Sequence, residues 1–220
     1  WGAIMQQYEN AVCIAGTHGK TTTTAMTTHV FMAAQADPTV MIGGTLSMLH
    51  SGYRVGKGDT IILESCEYCN SFLHFFPTVA VVLNVEEDHL DFFENLDGIK
   101  KSFRSFAQLV PGDGRIVANA DDPGAMDALK GLPLFTFGMN SAADCRAANL
   151  VWNHGLPDFD VVAGGELYTH LSLQVAGKHN VYNALAAASA AYVLGIPAQA
   201  VKQGLEGFRG AGRRFELLGT

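Results

Sequence analysis

Ala11-Val12-Cys13-Ile14-Ala15-Gly16-Thr17-His18-Gly19-Lys20-Thr21-Thr22-Thr23-Thr24 leads an apolar run into a turn with two glycines, a lysine and four threonines. The run reads as a buried strand, and the threonines open a helical stretch. A polyphosphate fits such a turn. Glycines let backbone N–H groups close around it, the helix N-terminus points its positive dipole at it, Lys20 neutralises charge, and a threonine hydroxyl can ligate Mg²⁺. The usual pattern sets its first glycine further upstream of the Gly-Lys pair. Ala15 and Gly16 stand in that region here, so the match is to a variant loop that its context must decide.

Downstream, Lys20 to Ala34 carries helix-compatible spacing, with Ala25, Val30, Phe31 and Ala34 available to a core. Thr39 to Ile42 reads as a strand that Gly43-Gly44 ends in a turn or tight backbone approach, and Ser51 to Asp59 as a loop or hairpin. Thr60-Ile-Ile-Leu63 and Thr78-Val-Ala-Val-Val-Leu83 are unalternated apolar runs, the mark of strands buried on both faces in a parallel sheet. They end in Glu64 and in Asn84-Val-Glu-Glu-Asp-His89. Polar residues at the carboxyl ends of such strands form the ligand crevice, so Glu64, Asn84, Glu86, Asp88 and His89 are expected beside the Gly16 to Thr21 loop.

The βα alternation continues through an amphipathic stretch, Asp97 to Leu109. A strand at Arg115 to Asn119, a helix at Asp122 to Lys130 and a strand at Pro133 to Phe137 follow. From Asp144 to Val175 the pattern changes to alternating strands with turns at Asn153-His-Gly and Gly164-Gly165, which predicts antiparallel additions at one edge. Helices over Gly177 to Leu194 and Ala198 to Glu206 follow. The expected fold is one α/β domain, a mostly parallel sheet flanked by helices with a small antiparallel addition.

At 220 residues and 48% hydrophobic the chain can bury a full core. A net charge of −7 with no Lys/Arg cluster argues against nucleic acid as a partner, and no stretch approaches a membrane span. A cytoplasmic location is expected. The start, Trp1-Gly-Ala-Ile, lacks an initiator Met, so a domain of a longer enzyme is expected. Cys66 and Cys69 form a single Cys-x-x-Cys without the second pair that zinc wants. Free thiols are the simpler reading, and a zinc or redox site there is the alternative.

Glu64 has the position of a Mg²⁺-binding carboxylate in a P-loop enzyme, and His89, among acidic residues, is the best nitrogen ligand for a second cation. Asn180 and Asn183 share a helix face and either reach a nucleotide or cap the helix. Five segments carry a resemblance: Ala15-Gly-Thr-His-Gly-Lys-Thr-Thr-Thr23, Glu64-x-x-Glu67-x-x-x-Ser71-Phe-Leu73, Asn84-x-Glu86-x-Asp88-His89-x-Asp91, His179-Asn-x-x-Asn183 and Gly212-Arg-Arg-Phe-Glu216. In this order they resemble the Mur ligase family of peptidoglycan synthesis, over essentially the whole chain.

The resemblance implies ATP-dependent amide synthesis with Mg²⁺, in which a muramate carboxylate is phosphorylated and the acyl phosphate is attacked by an amine. It implies that Gly16, Thr17, His18, Gly19, Lys20, Thr21 and Thr22 hold the phosphates, with Lys20 on the β and γ groups. It places a first Mg²⁺ on Thr21 and Glu64 and a second on His89. Asn180 and Asn183 would contact ATP, and Arg214, or Arg213 in its place, would reach a phosphate. His18 looks like the branch that joins L-alanine to UDP-N-acetylmuramate. The tripeptide-recycling ligase shares that histidine, but the short Ser71 to Pro77 passage looks more like the alanine-adding branch.

The family also has an N-terminal UDP-binding domain and a C-terminal domain that closes over ATP. The resemblance therefore implies a central ATP-binding domain over 1–212, the start of a linker at 213–220, both partner domains outside this chain, and an isolated domain that makes no product. Relatives often carry acidic residues where Cys66 and Cys69 stand, which leaves any substrate contact from those positions unassigned. Lys100 and Lys101 are not assigned the carbamylated-lysine role of other branches. A reading of a different class is a regulatory P-loop module without ligation, which would not need both Glu64 and His89.

Overall fold

β1 (Asn10–Ala15) is buried from Ala11 to Ala15 because it has a parallel neighbour on each side and helices on both faces. The computed structural model describes residues 1–210 apart from Ser47, Leu90 and Ser141. The other strands are β2 (Thr39–Leu46), β3 (Ser51–Arg54), β4 (Thr60–Glu64), β5 (Val79–Val82), β6 (Arg115–Asn119), β7 (Leu134–Gly138), β8 (Cys145–Asn153), β9 (Leu156–Ala163) and β10 (Glu166–Ser172). The helices are α1 (Gly2–Met5), α2 (Lys20–Ala33), α3 (Leu96–Ala107), α4 (Pro123–Ala128), α5 (Lys178–Val193) and α6 (Ala198–Gly207), with a 3-10 segment at Tyr68–His74.

The strands form one ten-stranded sheet in the order β10-β9-β8-β7-β6-β5-β1-β4-β2-β3. Pairing is parallel from β8 through β7, β6, β5, β1 and β4 to β2, and antiparallel at both ends. The order reverses around β1: β4 lies on one side and β5 on the other. In open α/β sheets such a switch point opens the crevice at the carboxyl ends of the strands.

Successive strand residues serve opposite cores, as the period of two requires. Val12, Ile14, Ile62 and Val81 face α2, α5 and α6, whereas Cys13, Ala15, Ile61 and Val82 face α3 and α4. Helix α2 is rich in β-branched threonine yet deeply buried. Three of its hydroxyls are satisfied within the helix: Thr24, Thr27 and Thr28 each donate to the carbonyl four residues back at 2.8 Å. Helix α6 lies against α2 at Gly204, where a Cβ would fall 2.5 Å from Val30 Cα. On the other face Asn95 caps α3 by accepting from Gly98 N–H at 3.0 Å, and Phe72 stacks on Phe106 at 4.6 Å. Each of these phenyl burials is worth roughly 1.5–3 kcal/mol.

The fold is the expected α/β sheet with its antiparallel addition, β8 to β10, at one edge. One local reading changes, one left open as loop or hairpin resolves to a hairpin, and one segment is new. Strand β2 does not end at Gly43-Gly44 but runs on to Leu46, because Gly43 is a tight approach: its N–H donates to Glu64 Oε2 at 2.6 Å. Ser51–Arg54 is the returning strand of a hairpin with β2. The Tyr68–His74 segment, with Cys69 and Asn70 in left-handed conformations, had no counterpart in the sequence reading. Among the described residues no helix is long and apolar enough to cross a membrane.

Candidate functional site

The loop from Gly16 to Gly19 leaves β1 at the switch point and enters α2. Gly19 caps the helix with φ of 85°, and a Cβ there would lie 2.8 Å from Asn183 Oδ1, so both the turn and the neighbouring helix require glycine. The strand-end residues after β5 clamp this loop. Asn84 accepts from His18 N–H at 2.7 Å and donates to His18 C=O at 3.1 Å, pairing with the backbone as another peptide would. Thr17 Oγ1 accepts from Glu86 N–H at 3.0 Å. The exposed His18 imidazole stands 3.8 Å from Glu86.

Glu64, at the end of β4, accepts from Thr21 Oγ1 at 2.9 Å and from Gly43 N–H. The hydroxyl and carboxylate named from the sequence are thus side by side at the head of α2, and oxygen donors so placed suit Mg²⁺. Lys20 curls back over its own loop. Its Nζ donates to Gly16 C=O at 2.6 Å, to Thr17 C=O at 3.3 Å, and to both oxygens of Glu67 at 3.1 and 2.9 Å. Glu67 is only 2% exposed.

His89 lies on the far side of Glu67. It adopts φ of 51°, its ring rests on Tyr68 at 4.6 Å, and Tyr68 donates to Asp91 at 2.9 Å. By accepting that bond, the Asp91 carboxylate holds the Tyr68 hydroxyl in its protonated form and pushes its pKa up. His89 Nε2 is 3.8 Å from Glu67 and 3.9 Å from Asp88. One ligand atom from each of Glu67, Asp88 and His89 falls within 4.8 Å of the others, so these donors fit a second divalent cation. The histidine gathers with Glu67 and Asp88, whereas Glu64 gathers with Thr21.

Behind the loop is a cavity of about 390 Å³ lined by His18, Gly19, Thr22, Asn84, Asp121, Tyr182 and Asn183, among others. Asp121 Oδ2 accepts from Met139 N–H at 2.6 Å and Tyr182 OH at 3.0 Å. Burial first, then the bond to Asp121, pushes the Tyr182 phenol up to about 12, so it stays a neutral donor. Asn183 borders the cavity, accepting from Thr23 Oγ1 and donating to Asn180 Oδ1, each at 3.1 Å. Asn180 is buried behind it and donates to Ala176 C=O at 2.7 Å. The pair joins α5 to α2, and only Asn183 reaches the cavity wall. Arg213 and Arg214 lie outside the described residues.

Glu67 and Asp121 received no role from the sequence. Asp121 follows β6 and was open to the same strand-end rule that named Glu64; for Glu67, quoted within a motif, no local signal gave the pairing with Lys20. Cys66 and Cys69 are exposed free thiols, and no disulfide is formed. Lys100 is paired with Asp127 at 2.8 Å.

The family model for the Mur ligase middle domain matches residues 14–191. UDP-N-acetylmuramate--L-alanine ligase of Caldanaerobacter subterraneus subsp. tengcongensis is 44% identical over all of this chain, and that of Clostridium novyi 43% identical over 99% of it. The chain spans about half the length of these relatives, 48% in each case. Among solved structures, UDP-N-acetylmuramate-alanine ligase MurC of Thermotoga maritima superposes with a TM-score of 0.83 at 30% identity, over 97% of this chain and 48% of that one. The UDP-N-acetylmuramate:L-alanyl-gamma-D-glutamyl-meso-diaminopimelate ligase of Neisseria meningitides does so with 0.84 at 28%, over 96% and 69%. A glycine-bounded loop at the switch point of this sheet, a family match over most of the chain and identity of this level over its full length together mean that the chain belongs to the Mur ligase middle-domain family.

Proposed function

We propose that this chain is the ATP-binding middle domain of an enzyme that joins L-alanine to the carboxylate of UDP-N-acetylmuramate, acting in the cytoplasm on small molecules alone. One observation supports the reaction class best: Lys20, Thr21 and Glu64 converge at the ends of β1 and β4, beside a cavity sized for a nucleoside. The choice of amino acid follows the names of the relatives at 43–44% identity.

On this reading the loop amides of residues 16–22 and the N-terminus of α2 bind the phosphates, and Lys20 turns onto the β and γ groups. A muramate carboxylate oxygen attacks the γ-phosphorus, and ADP leaves. The alanine amine then attacks the acyl carbon, and inorganic phosphate departs from the tetrahedral intermediate. Thr21 and Glu64 would hold one Mg²⁺, and His89 with Glu67 and Asp88 a second; such ions offset the charge gathering on the transferred phosphoryl oxygens. The adenosine end occupies the cavity against Asn183 and Tyr182, with Asn180 fixing Asn183, and Arg214 reaches a phosphate. Residues 1–212 form this domain and 213–220 begin the linker to a C-terminal domain, while an N-terminal domain holds the UDP moiety.

The full-length enzyme, given ATP and UDP-N-acetylmuramate with either L-alanine or L-alanyl-γ-D-glutamyl-diaminopimelate, should release phosphate and form product with L-alanine. The second reading, a tripeptide ligase, has an equally good superposition behind it, 0.84 against 0.83 for the alanine ligase. Strong preference for the tripeptide would establish it instead. The 220-residue chain alone should bind Mg-ATP weakly and form no product.

A further inference from the structure

Lys20 at rest is not set to receive a phosphate. An ammonium has three N–H donors, and those of Lys20 are shared among four acceptors, the carbonyls of Gly16 and Thr17 and the two oxygens of Glu67. The ion pair is shielded from water on both sides, at 14% exposure for the lysine side chain and 2% for the glutamate. Beyond Glu67, His89 Nε2 stands 3.8 Å from the carboxylate, outside hydrogen-bond range. With donor-to-metal distances of roughly 2.0–2.2 Å, that gap accommodates a small cation between the two groups.

Resting on the ATP site assigned above, we propose that Glu67 is a positioning residue that exchanges Lys20 for a divalent cation as nucleotide arrives. When Lys20 swings to the phosphates, Glu67 loses its counter-ion, and an unpaired buried carboxylate is strongly unfavourable. A cation shared with Asp88 and His89 restores the balance. Without nucleotide, Lys20 occupies Glu67 and weakens the cation site. Without cation, Glu67 retains Lys20 and weakens the nucleotide site. Each ligand therefore promotes the other, and linkage makes the two effects equal.

The test uses the full-length enzyme and a binding readout. By calorimetry in EDTA, Glu67→Gln should bind metal-free ADP about tenfold more tightly than wild type, because Lys20 is released. A Glu67 that merely braces the fold predicts the opposite sign. In nucleotide-free protein, Lys20→Met should tighten Mn²⁺ binding about tenfold, read from the electron paramagnetic resonance of the free ion, and the gain should vanish when Glu67→Gln is added. Metal-free ADP affinity that is unchanged or weaker in Glu67→Gln, or Mn²⁺ affinity unchanged in Lys20→Met, overturns the exchange. Wild-type protein that binds ADP neither with nor without Mg²⁺ would instead overturn the ATP site on which the exchange rests.

Discussion

Two histidines in this molecule each stand between two carboxylates, and they differ in how closely they are held. On the antiparallel flank, His170 Nδ1 lies 2.8 Å from Asp160 and Nε2 3.3 Å from Asp158, all on facing strands β9 and β10. At the mouth of the parallel sheet, His89 Nε2 stays 3.8 and 3.9 Å from Glu67 and Asp88. The flank histidine has its partners and needs nothing more. The mouth histidine, with its left-handed backbone and its ring against Tyr68, stays outside hydrogen-bond range of both carboxylates, the three ligand atoms lying within 4.8 Å of one another. The same residue types thus make a clasp in one place and a looser group, spaced to fit a cation, in the other.

The proposed chemistry belongs to the mouth alone, and Lys20 tests this most severely. In the full-length enzyme Lys20→Met should cut turnover about a thousandfold, measured at a temperature where circular dichroism shows the variant folded, since stranding the buried Glu67 carboxylate also lowers its melting temperature. Turnover within a few-fold of wild type would remove the mouth from the mechanism.

The next effect is on stability. Glu67 is carried by the turn leading into Tyr68–His74, and that segment is pinned by Phe72, which is fully buried, stacked on Phe106 and edge-on to Phe103. Phe72→Ala should cost about 3–5 kcal/mol in urea unfolding. A loss under about 1 kcal/mol would mean that the mouth is not anchored through this ring.

Substituting the two histidines in parallel then sharpens the contrast. His89→Asn should lower turnover roughly a hundredfold, as loss of one group that offsets transition-state charge does. His170→Asn should leave turnover within about twofold, as a surface change remote from the site does. Equal effects of the two substitutions would erase the distinction drawn from their distances.

How much of this was legible in the sequence follows from which forces are local. Thr60 to Leu63 and Thr78 to Leu83 announced strands buried on both faces, and the strand-end rule then named Glu64, Asn84 and His89 as neighbours of the loop. Strand order was not legible, because nothing local places β4 between β1 and β2. The Lys20–Glu67 pair was hidden for the same reason: it joins residues 47 apart through a turn whose path depends on left-handed Cys69 and Asn70, neither a glycine. Gly43 misled because a glycine in an apolar run reads as a stop, while here the missing Cβ admits the Glu64 carboxylate. The spacing of Asn180 and Asn183 was legible but their depth was not, since only packing against α2 decides which of the two reaches the cavity.

The smallest expected effect belongs to the flank, and its sign follows from linkage. The hydrogen bond to Asp160 comes first, and with the charges of Asp158 and Asp160 it raises the pKa of His170 above 6.5 against desolvation and Lys202 on α6. Asp160 in turn is held below its ordinary value by its bonds to Asn149 and His170. A histidine whose folded pKa is raised contributes its full stability below the unfolded value of about 6.5 and loses it as pH climbs through the folded value. The aspartate contributes above its unfolded pKa and loses that stability as acid protonates it. The stability lost in His170→Asn should therefore be largest near pH 5–6 and shrink as pH rises above about 6.5 through the folded pKa. With the His170 side chain 45% exposed, solvent screening keeps the effect below about 1 kcal/mol. Urea unfolding of wild type and His170→Asn across pH 5 to 9 measures it, and a difference that grows toward alkaline pH would contradict the assigned clasp.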